Sequence, residues 1–168
     1  MSQLARVTVK LRSGAAMPIF GLGTWAMAEK DECTNACAAA LAAGYRLLDT
    51  ATMYENEAEV GAALAASGVA RDEVFVVSKL KGGDHGAEAP RDALDLSLAK
   101  LRLDHLDLWL MHSPAGADVV ATWRAMLALR DAGKCRAVGV SNFGVAQLKQ
   151  LAACGLEAPE VNQIELHP

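Results

Sequence analysis

The sequence has few aromatic residues, no excess of basic residues and no long apolar run. Only 5% of its 168 residues are aromatic, and 16 Lys and Arg against 20 Asp and Glu give a net charge of −4. Nucleic-acid binding needs clustered positive charge, so we expect no nucleic-acid partner. No apolar run reaches the roughly 18 residues of a membrane span, so we expect no membrane partner. Residues 1–10 lack the apolar core of a signal peptide, which favours a soluble, cytoplasmic protein.

The four cysteines show no Cys-x-x-Cys spacing, which argues against the common zinc and redox motifs. Cys33 and Cys37 share one face of a predicted helix. A metal or redox site is one interpretation of this pair, and small buried apolar residues are the interpretation we favour. Glu165 and His167 form another candidate pair, but two ligands are too few for a metal site. The sequence therefore predicts no bound metal.

The residues that are abundant are typical of a folded α/β protein. Hydrophobic residues make up 52% of the chain, and 33 residues are alanine, which suits helix surfaces and close helix–sheet packing. The length predicts one domain over residues 1–168, large enough to bury a core.

Short apolar strands alternate with helices along the chain. Val7, Val9 and Leu11 alternate with polar residues before a Ser13-Gly14 turn, which predicts an N-terminal β-hairpin returning through 17–20. Six further strands are predicted at 19–22, 45–49, 74–78, 106–111, 137–140 and 161–165. Helices are predicted between them at 31–43, 57–67, 90–101, 119–132 and 145–153, with Asn56 and Asp118 as N-caps.

This alternation predicts a parallel sheet covered by helices, either as an open doubly wound sheet or as a barrel. Periodicity alone does not separate the two. An eight-unit barrel takes about 250 residues. A barrel-type chain of 168 residues would hold about six of the eight strands and leave two strand edges bare.

Polar side chains collect at the predicted carboxyl ends of the strands, where parallel α/β folds place their chemistry. They are Asp49, Lys79, His112, Ser141, Asn142 and Gln163, with Tyr54 in the loop after Asp49. Each of these residues, taken alone, has a structural explanation, such as a solvated strand end or a half-buried histidine. Ser141 and Asn142, for example, can cap the helix near Val145. Together, on consecutive strand ends, they predict a catalytic cluster.

Tyr54, Lys79, Asp49 and His112 suit proton transfer to an oxygen atom. A phenol is a weak acid at neutral pH, and an ammonium about 4 Å away favours its anion by up to roughly 4 kcal/mol at an effective dielectric constant of about 20. Lys79 would make Tyr54 a stronger acid in this way, and Asp49 would keep Lys79 charged. His112 would donate a hydrogen bond to a substrate oxygen. This set suits carbonyl reduction, and since no side chain delivers hydride, a nicotinamide cofactor is expected.

The sequence resembles the aldo-keto reductase family along its whole length. The stretches GYRLLDTA (44–51), YENE (54–57) and VG (60–61) are similar to the family signature. Supporting stretches are MP (17–18), GLGTW (21–25), VVSKL (76–80), LDL (106–108), MH (111–112), VGVSNF (138–143) and VNQIELHP (161–168). The resemblance implies an eight-stranded (β/α)8 barrel that reduces a small-molecule aldehyde or ketone with NADPH.

The resemblance also implies individual roles. Tyr54 would be the proton donor, made acidic by Lys79 and Asp49, and His112 would orient the carbonyl. The resemblance implies that the cofactor contacts Gly23, Thr24, Asp49, Ser141, Asn142 and Gln163. It implies that the substrate contacts Trp25, Tyr54 and His112.

Two features depart from the family pattern. Many members have a tryptophan where this chain has Ser113, which would widen or wet the substrate pocket. The family's later strands carry an aromatic that stacks on the nicotinamide and a Lys/Ser/Arg stretch that grips the phosphates. No residue here is assigned to those roles.

Two other interpretations remain open from the sequence. Gly21-x-Gly23-x-x-Ala26 formally fits a dinucleotide fingerprint, although a helix should begin directly after it. Alternatively, the chain is a truncated, non-catalytic barrel fragment that binds cofactor weakly or not at all. It would then persist by self-association or by pairing its open sheet edges with another chain.

Overall fold

The computed structural model describes residues 7–27 and 30–167, without the side chain of Lys30. The strands are β1 (Thr8–Lys10), β2 (Ala16–Pro18), β3 (Leu22–Gly23), β4 (Leu47–Asp49), β5 (Phe75–Leu80), β6 (Leu106–Met111), β7 (Cys135–Ser141) and β8 (Asn162–Gln163). The helices are α1 (Lys30–Ala42), α2 (Glu57–Ala66), α3 (Ala89–Leu101), α4 (Val119–Asp131) and α5 (Val145–Ala153). Short 3-10 helices lie at Thr52–Tyr54, Arg71–Glu73 and Gly82–Asp84. The expectations for residues 1–6 and for Pro168, the last residue of the final motif, lie outside the described residues.

The predicted N-terminal hairpin is confirmed. β1 pairs antiparallel with β2. The turn is closed by a hydrogen bond from the Leu11 amide to the Ala15 carbonyl (2.9 Å). Gly14 takes a φ of +91° in this turn, a conformation that glycine adopts without steric strain.

The other six strands form one parallel sheet in the order β3-β4-β5-β6-β7-β8. Every strand lies beside its predecessor in the sequence, whereas a doubly wound sheet reverses direction at a switch point. The sequential order therefore belongs to the barrel type, and the predicted incomplete barrel of six strands is confirmed.

The sheet is curled rather than flat. Gln163 of β8 donates a hydrogen bond of 2.8 Å to Asp49 of β4, although three strands stand between them in the sheet order. In a flat sheet these two strands would lie about 19 Å apart. The side chains can meet only because the sheet closes towards a barrel.

The two faces of the sheet are covered differently. On the outer face, Val76 and Trp109 join the helices in a large apolar core. On the inner face, the alternate residues Val77 and Leu108 pack with Leu11 at the hairpin turn. Because successive residues of a strand point to opposite faces, β5 and β6 are buried along their whole length.

Three predicted strands are shorter than expected. The strand predicted at 19–22 is only Leu22–Gly23, and the strand predicted at 161–165 is only Asn162–Gln163. Both lie at a sheet edge, where one neighbour alone supplies hydrogen bonds. The strand predicted from Tyr45 begins at Leu47, because the Tyr45 amide donates to the Ala40 carbonyl (2.9 Å) at the end of α1.

The predicted helix caps are confirmed only in part. Asp118 accepts a hydrogen bond of 2.9 Å from a backbone amide in the first turn of α4, as expected. Asn56 holds the N-cap position of α2, as predicted, but its side chain makes no capping hydrogen bond. Ser141 and Asn142 do not cap α5 either, since Gly144 holds the N-cap position of that helix.

Cys33 and Cys37 are fully buried in the outer core, as the favoured interpretation predicted. Burial raises the pKa of both thiols, that of Cys37 to about 12. Within residues 7–27 and 30–167, no group of three or more His, Cys, Asp or Glu side chains is arranged to hold a metal ion. In the same part of the chain, no helix has the length and apolar composition that crossing a membrane requires.

Candidate active site

The four residues predicted to be catalytic meet at the carboxyl ends of three neighbouring strands. Asp49 is the last residue of β4, Lys79 is the penultimate residue of β5, and His112 directly follows β6. Tyr54 ends the 3-10 helix that follows β4. Parallel pairing brings these strand ends to one edge of the sheet, so residues distant in the sequence become neighbours.

Lys79 lies at the centre of this cluster. Its side chain is only 1% exposed. Nζ donates hydrogen bonds to Asp49 Oδ1 (2.5 Å), to the Thr50 carbonyl (3.0 Å) and to the Tyr54 hydroxyl (3.1 Å). A protonated lysine has three N–H donors and no acceptor, so every donor is used. The Asp49 carboxylate balances the buried charge.

Tyr54 is half-buried and is held by three neighbours. The Lys79 ammonium lies 3.1 Å from its hydroxyl and 4.8 Å from its ring centroid. The Trp25 ring centroid lies 5.0 Å away, and the His112 ring meets Tyr54 edge-on at 5.6 Å. Because Lys79 donates the hydrogen bond that they share, the phenolic hydrogen of Tyr54 has no acceptor among the described residues.

His112 is a neutral imidazole near pH 7. Burial lowers its pKa below the ordinary 6.5, the Lys79 ammonium lowers it further, and the Asp49 carboxylate opposes both. A neutral imidazole offers one N–H donor and one acceptor. Within the described chain, its buried Nδ1 has no hydrogen-bond partner. The other ring nitrogen, Nε2, is not among the buried atoms without a partner, so it is the atom of His112 that could bind an oxygen atom near Tyr54.

The residues predicted to hold a carboxamide also come together. The Ser141 hydroxyl donates to the Gln163 carbonyl (2.9 Å), and Asn142 Nδ2 donates to Ser141 Oγ and to the His112 carbonyl (3.1 Å each). Gln163 Nε2 donates to Asp49 Oδ2. In the part of the chain that is described, the side-chain oxygens of Asn142 and Gln163 accept no hydrogen bond. A carboxamide NH₂ needs such acceptors, so these two residues fit that group.

The residues at the end of β3 are placed in two different environments. Gly23 is exposed, and Trp25 is 68% exposed beside Tyr54. Thr24 is completely buried, and its hydroxyl shares one hydrogen between the Asp49 carbonyl and Asn56 Oδ1 (3.2 Å each). This placement departs from the expectation that Thr24 contacts a cofactor, because a residue without exposed surface stabilises the site from within.

A cleft of about 1030 Å³ opens beside the cluster. Its lining combines Asp49, Tyr54, Trp25 and Gln163 with mostly apolar side chains from β3, the inner sheet face and the β8 segment. His112 is not part of this lining, but its ring packs edge-on against that of Tyr54, which is.

A second cavity, of about 440 Å³, lies at the opposite, amino ends of the strands. Among its charged groups, Asp107 is already paired with Arg136 at 2.9 Å. We place the candidate active site in the larger cleft, because the polar groups suited to proton transfer converge there.

The buried position of Asn56 was not predicted from the sequence. Its side chain is buried and accepts a hydrogen bond from the Thr50 hydroxyl (2.8 Å). The only signal in the sequence was the position of Asn56, because this polar residue comes two positions after Tyr54, in the same loop. That position was interpreted only as a helix cap.

The alternative dinucleotide fingerprint at 21–26 does not have the structural context that it needs. A helix should begin directly after the motif, but α1 begins only at Lys30. Gly21 instead permits close packing, since a Cβ there would lie 2.4 Å from Leu47 Cδ2.

Comparison with known proteins relates this geometry to a family. The model of the Aldo/keto reductase family matches residues 19–168. A glyoxal reductase of Bacillus subtilis is 46% identical over 161 residues, which cover 96% of this chain and 58% of the relative.

Two solved structures are also similar. An aldo/keto reductase from Brucella melitensis superposes with a TM-score of 0.92 at 44% identity, over 96% of this chain and 63% of the other. A Bombyx mori aldo-keto reductase in complex with NADP gives a TM-score of 0.90 at 37% identity, over 95% of this chain and 58% of the other. The chain thus spans about three fifths of the length of the proteins that it matches.

Proposed function

Because the chain belongs to the aldo/keto reductase family, we propose that the protein reduces aldehydes or ketones to alcohols with NADPH, and that Tyr54 donates the proton. The observation that carries this proposal is the set of three hydrogen bonds from Lys79 to Asp49, Thr50 and Tyr54. A buried ammonium that donates to a phenol stabilises the anion which remains after the proton has left.

The direction of these hydrogen bonds leaves the phenolic proton of Tyr54 available for transfer. Lys79 uses one of its own hydrogens to reach Tyr54 Oη, so the phenolic hydrogen is available to a carbonyl oxygen in the cleft. As that hydrogen moves, negative charge develops on Tyr54 Oη beside the ammonium. Asp49 pairs with the Lys79 ammonium and fixes its direction. Donation of the Tyr54 proton to the substrate oxygen is general acid catalysis, which contributes about 10²–10⁴-fold to a rate.

His112 orients the carbonyl in this proposal. Since its imidazole is neutral, one ring nitrogen carries a hydrogen that can be donated to the same oxygen that receives the Tyr54 proton. The edge contact between the two rings, with centroids 5.6 Å apart, supports this role. A carbonyl oxygen held by two donors is polarised as charge develops on it.

The residues at the ends of β7 and β8 fit the carboxamide group of the nicotinamide cofactor. The free amide oxygens of Asn142 and Gln163 can accept from the nicotinamide carboxamide, and Ser141 holds Gln163 in place through its carbonyl. When bound, the nicotinamide supplies the hydride that no side chain can deliver. Gly23 leaves open space at the cleft, and Trp25 forms an apolar wall next to Tyr54.

Small aldehydes are the first substrates to test. The relative named glyoxal reductase suggests glyoxal as a candidate. Ser113 follows His112 in the loop after β6, and its small polar side chain in place of the family's tryptophan would leave room for water or for a polar substrate group. We therefore include glyoxal along with an aromatic aldehyde, 4-nitrobenzaldehyde.

The proposal is tested with Tyr54→Phe and, as a matched control, Tyr45→Phe, which alters the only other tyrosine in the sequence. NADPH consumption is followed by absorbance, and NADPH affinity by fluorescence titration. Tyr54→Phe should lower kcat by about 10²–10⁴-fold with little change in NADPH affinity, while Tyr45→Phe should behave like the parent. Equal rates for Tyr54→Phe and the parent would remove Tyr54 as donor. A parent that neither binds nor consumes NADPH would instead favour the non-catalytic interpretation.

A further inference from the structure

Asn56 carries a buried amide that the reaction described above does not use. Only 4% of the residue is exposed, and it lies between the loop that carries Tyr54 and the start of α2. An asparagine side chain accepts two hydrogen bonds at Oδ1 and donates two from Nδ2. A buried amide must find such partners inside the protein.

Each of these four positions has a partner, although the Thr24 hydroxyl shares its one hydrogen between Oδ1 and the Asp49 carbonyl. Oδ1 accepts from the hydroxyls of Thr50 (2.8 Å) and Thr24 (3.2 Å). Nδ2 donates to the backbone carbonyls of Thr24 (2.9 Å) and Met27 (3.3 Å). One side chain therefore joins the loop after β3 to the loop after β4.

Thr50 connects this amide to Lys79. The Thr50 hydroxyl donates to Asn56, while the Thr50 carbonyl accepts from Lys79 Nζ at 3.0 Å. The Thr50 amide is held as well, by the Val77 carbonyl of β5 (2.9 Å). The Thr50 carbonyl is one of the three acceptors that orient the Lys79 ammonium. The hydrogen bond between the Thr50 hydroxyl and Asn56 therefore helps to fix the direction of that carbonyl.

The same hydrogen bond closes residues 50–56 into a short loop that contains Tyr54. Within this loop, the Tyr54 amide donates to the Ala51 carbonyl at 3.0 Å. The distance of 3.1 Å between Tyr54 Oη and Lys79 Nζ leaves little tolerance. A displacement of about 1 Å would break that hydrogen bond.

We propose that Asn56 is a positioning residue for proton transfer: through Thr50 it sets the distance between the Tyr54 hydroxyl and the Lys79 ammonium. Its effect on turnover rests on the proposed function. Its effect on the environment of Tyr54 does not, and can be measured without substrate.

The test uses the full chain with three substitutions in the network and one outside it. Asn56→Ala removes the amide, Thr50→Val removes only the hydroxyl, and Thr50→Ser keeps it. The control is Thr122→Val, because Thr122 is also fully buried, and its hydroxyl bonds to the Gly86 amide and to the Asp118 carbonyl (2.8 Å each), outside the network of Asn56. Circular dichroism and urea unfolding show which variants are folded at the assay temperature.

The first readout is the ¹³Cζ NMR resonance of labelled tyrosine. The sequence has two tyrosines, and Tyr54→Phe assigns the resonance of Tyr54. Thr50→Val and Asn56→Ala should shift or broaden that resonance, and Thr50→Ser and Thr122→Val should leave it in place. The second readout is steady-state kinetics with NADPH and 4-nitrobenzaldehyde. Thr50→Val should lower kcat by about tenfold or more, with KM changed by less than about twofold, and Thr50→Ser should restore most of the rate.

The proposal is overturned if folded Thr50→Val leaves both the Tyr54 resonance and kcat as in the parent, or if Thr122→Val changes them equally. If Asn56→Ala does not fold, the comparison of Thr50→Val with Thr50→Ser decides. If the parent shows no turnover at all, the proposed function fails, and the resonance of Tyr54 still decides whether Asn56 positions it.

Discussion

Replacing Lys79 by methionine tests the central charge pair of the site. Methionine resembles the lysine stem in length and flexibility but carries no charge and no donor. The change leaves the Asp49 side chain, which is 14% exposed, with Gln163 as its remaining side-chain donor. It also removes the donor to the Tyr54 hydroxyl.

The expected loss of stability follows from the burial of the pair. Removing one partner of a buried ion pair destabilises a protein by about 3–5 kcal/mol. Asp49 keeps some contact with solvent and one hydrogen bond, which favours the lower end, so we expect about 3 kcal/mol. The double variant Lys79→Met/Asp49→Leu removes the uncompensated charge and should recover part of that loss.

Urea unfolding followed by tryptophan fluorescence measures this change, since Trp109 and Trp123 are fully buried. Lys134→Met is the control, because it breaks the exposed pair with Asp95 (2.8 Å). That change should lower the free energy of unfolding by less than about 1 kcal/mol. If Lys79→Met loses no more stability than Lys134→Met, the Lys79–Asp49 contact is not a buried charge pair and the argument for the site fails.

Two further predictions concern stability alone. Burial lowers the pKa of His85, His105 and His112 below 6.5. Near and below that pH, these histidines therefore bind more protons in the unfolded chain than in the folded protein. As a result, the free energy of unfolding falls as the pH falls. His85→Gln should flatten this fall in urea titrations between about pH 7 and pH 5, and an unchanged slope would exclude His85 as a contributor. Gly61→Ala should lower the free energy of unfolding by about 1–3 kcal/mol, because its Cβ would lie 2.4 Å from a backbone carbonyl oxygen of α3. A Cβ at Gly83 meets nothing within 4 Å, so Gly83→Ala is the control, and equal losses in the two variants would contradict the packing argument.

The strand ends of the site are predictable because of how a buried parallel strand is composed. In β5 and β6, residues on both faces are buried, so a nearly continuous apolar run fixes where the strand lies. Lys79 near the end of one run and His112 after the other then mark the same edge of the sheet. The edge strands β3 and β8 give a weaker signal, since pairing on one side alone decides how far they extend.

The buried polar network is not predictable in the same way. Asn56, Thr50 and Thr24 are common loop and cap residues, and their composition does not distinguish a solvated side chain from one that is buried. Asn56 occupies an N-cap position, and local rules therefore assign it to the helix. Only the packing of the loops that follow β3 and β4, about 25 residues apart in the sequence, shows that its partners are Thr50 and Thr24.

The hairpin also contributes to the site, although it lies at the opposite end of the sheet. At its turn, the Ser13 amide donates to Glu160 Oε2 (2.8 Å), and Arg12 donates to the Ala158 carbonyl, so the turn holds the segment that leads into β8. Gln163 of β8 in turn donates to Asp49. The segment around β8 is therefore held at both ends of the strands, by the hairpin turn at one end and by the Asp49 carboxylate that pairs with Lys79 at the other.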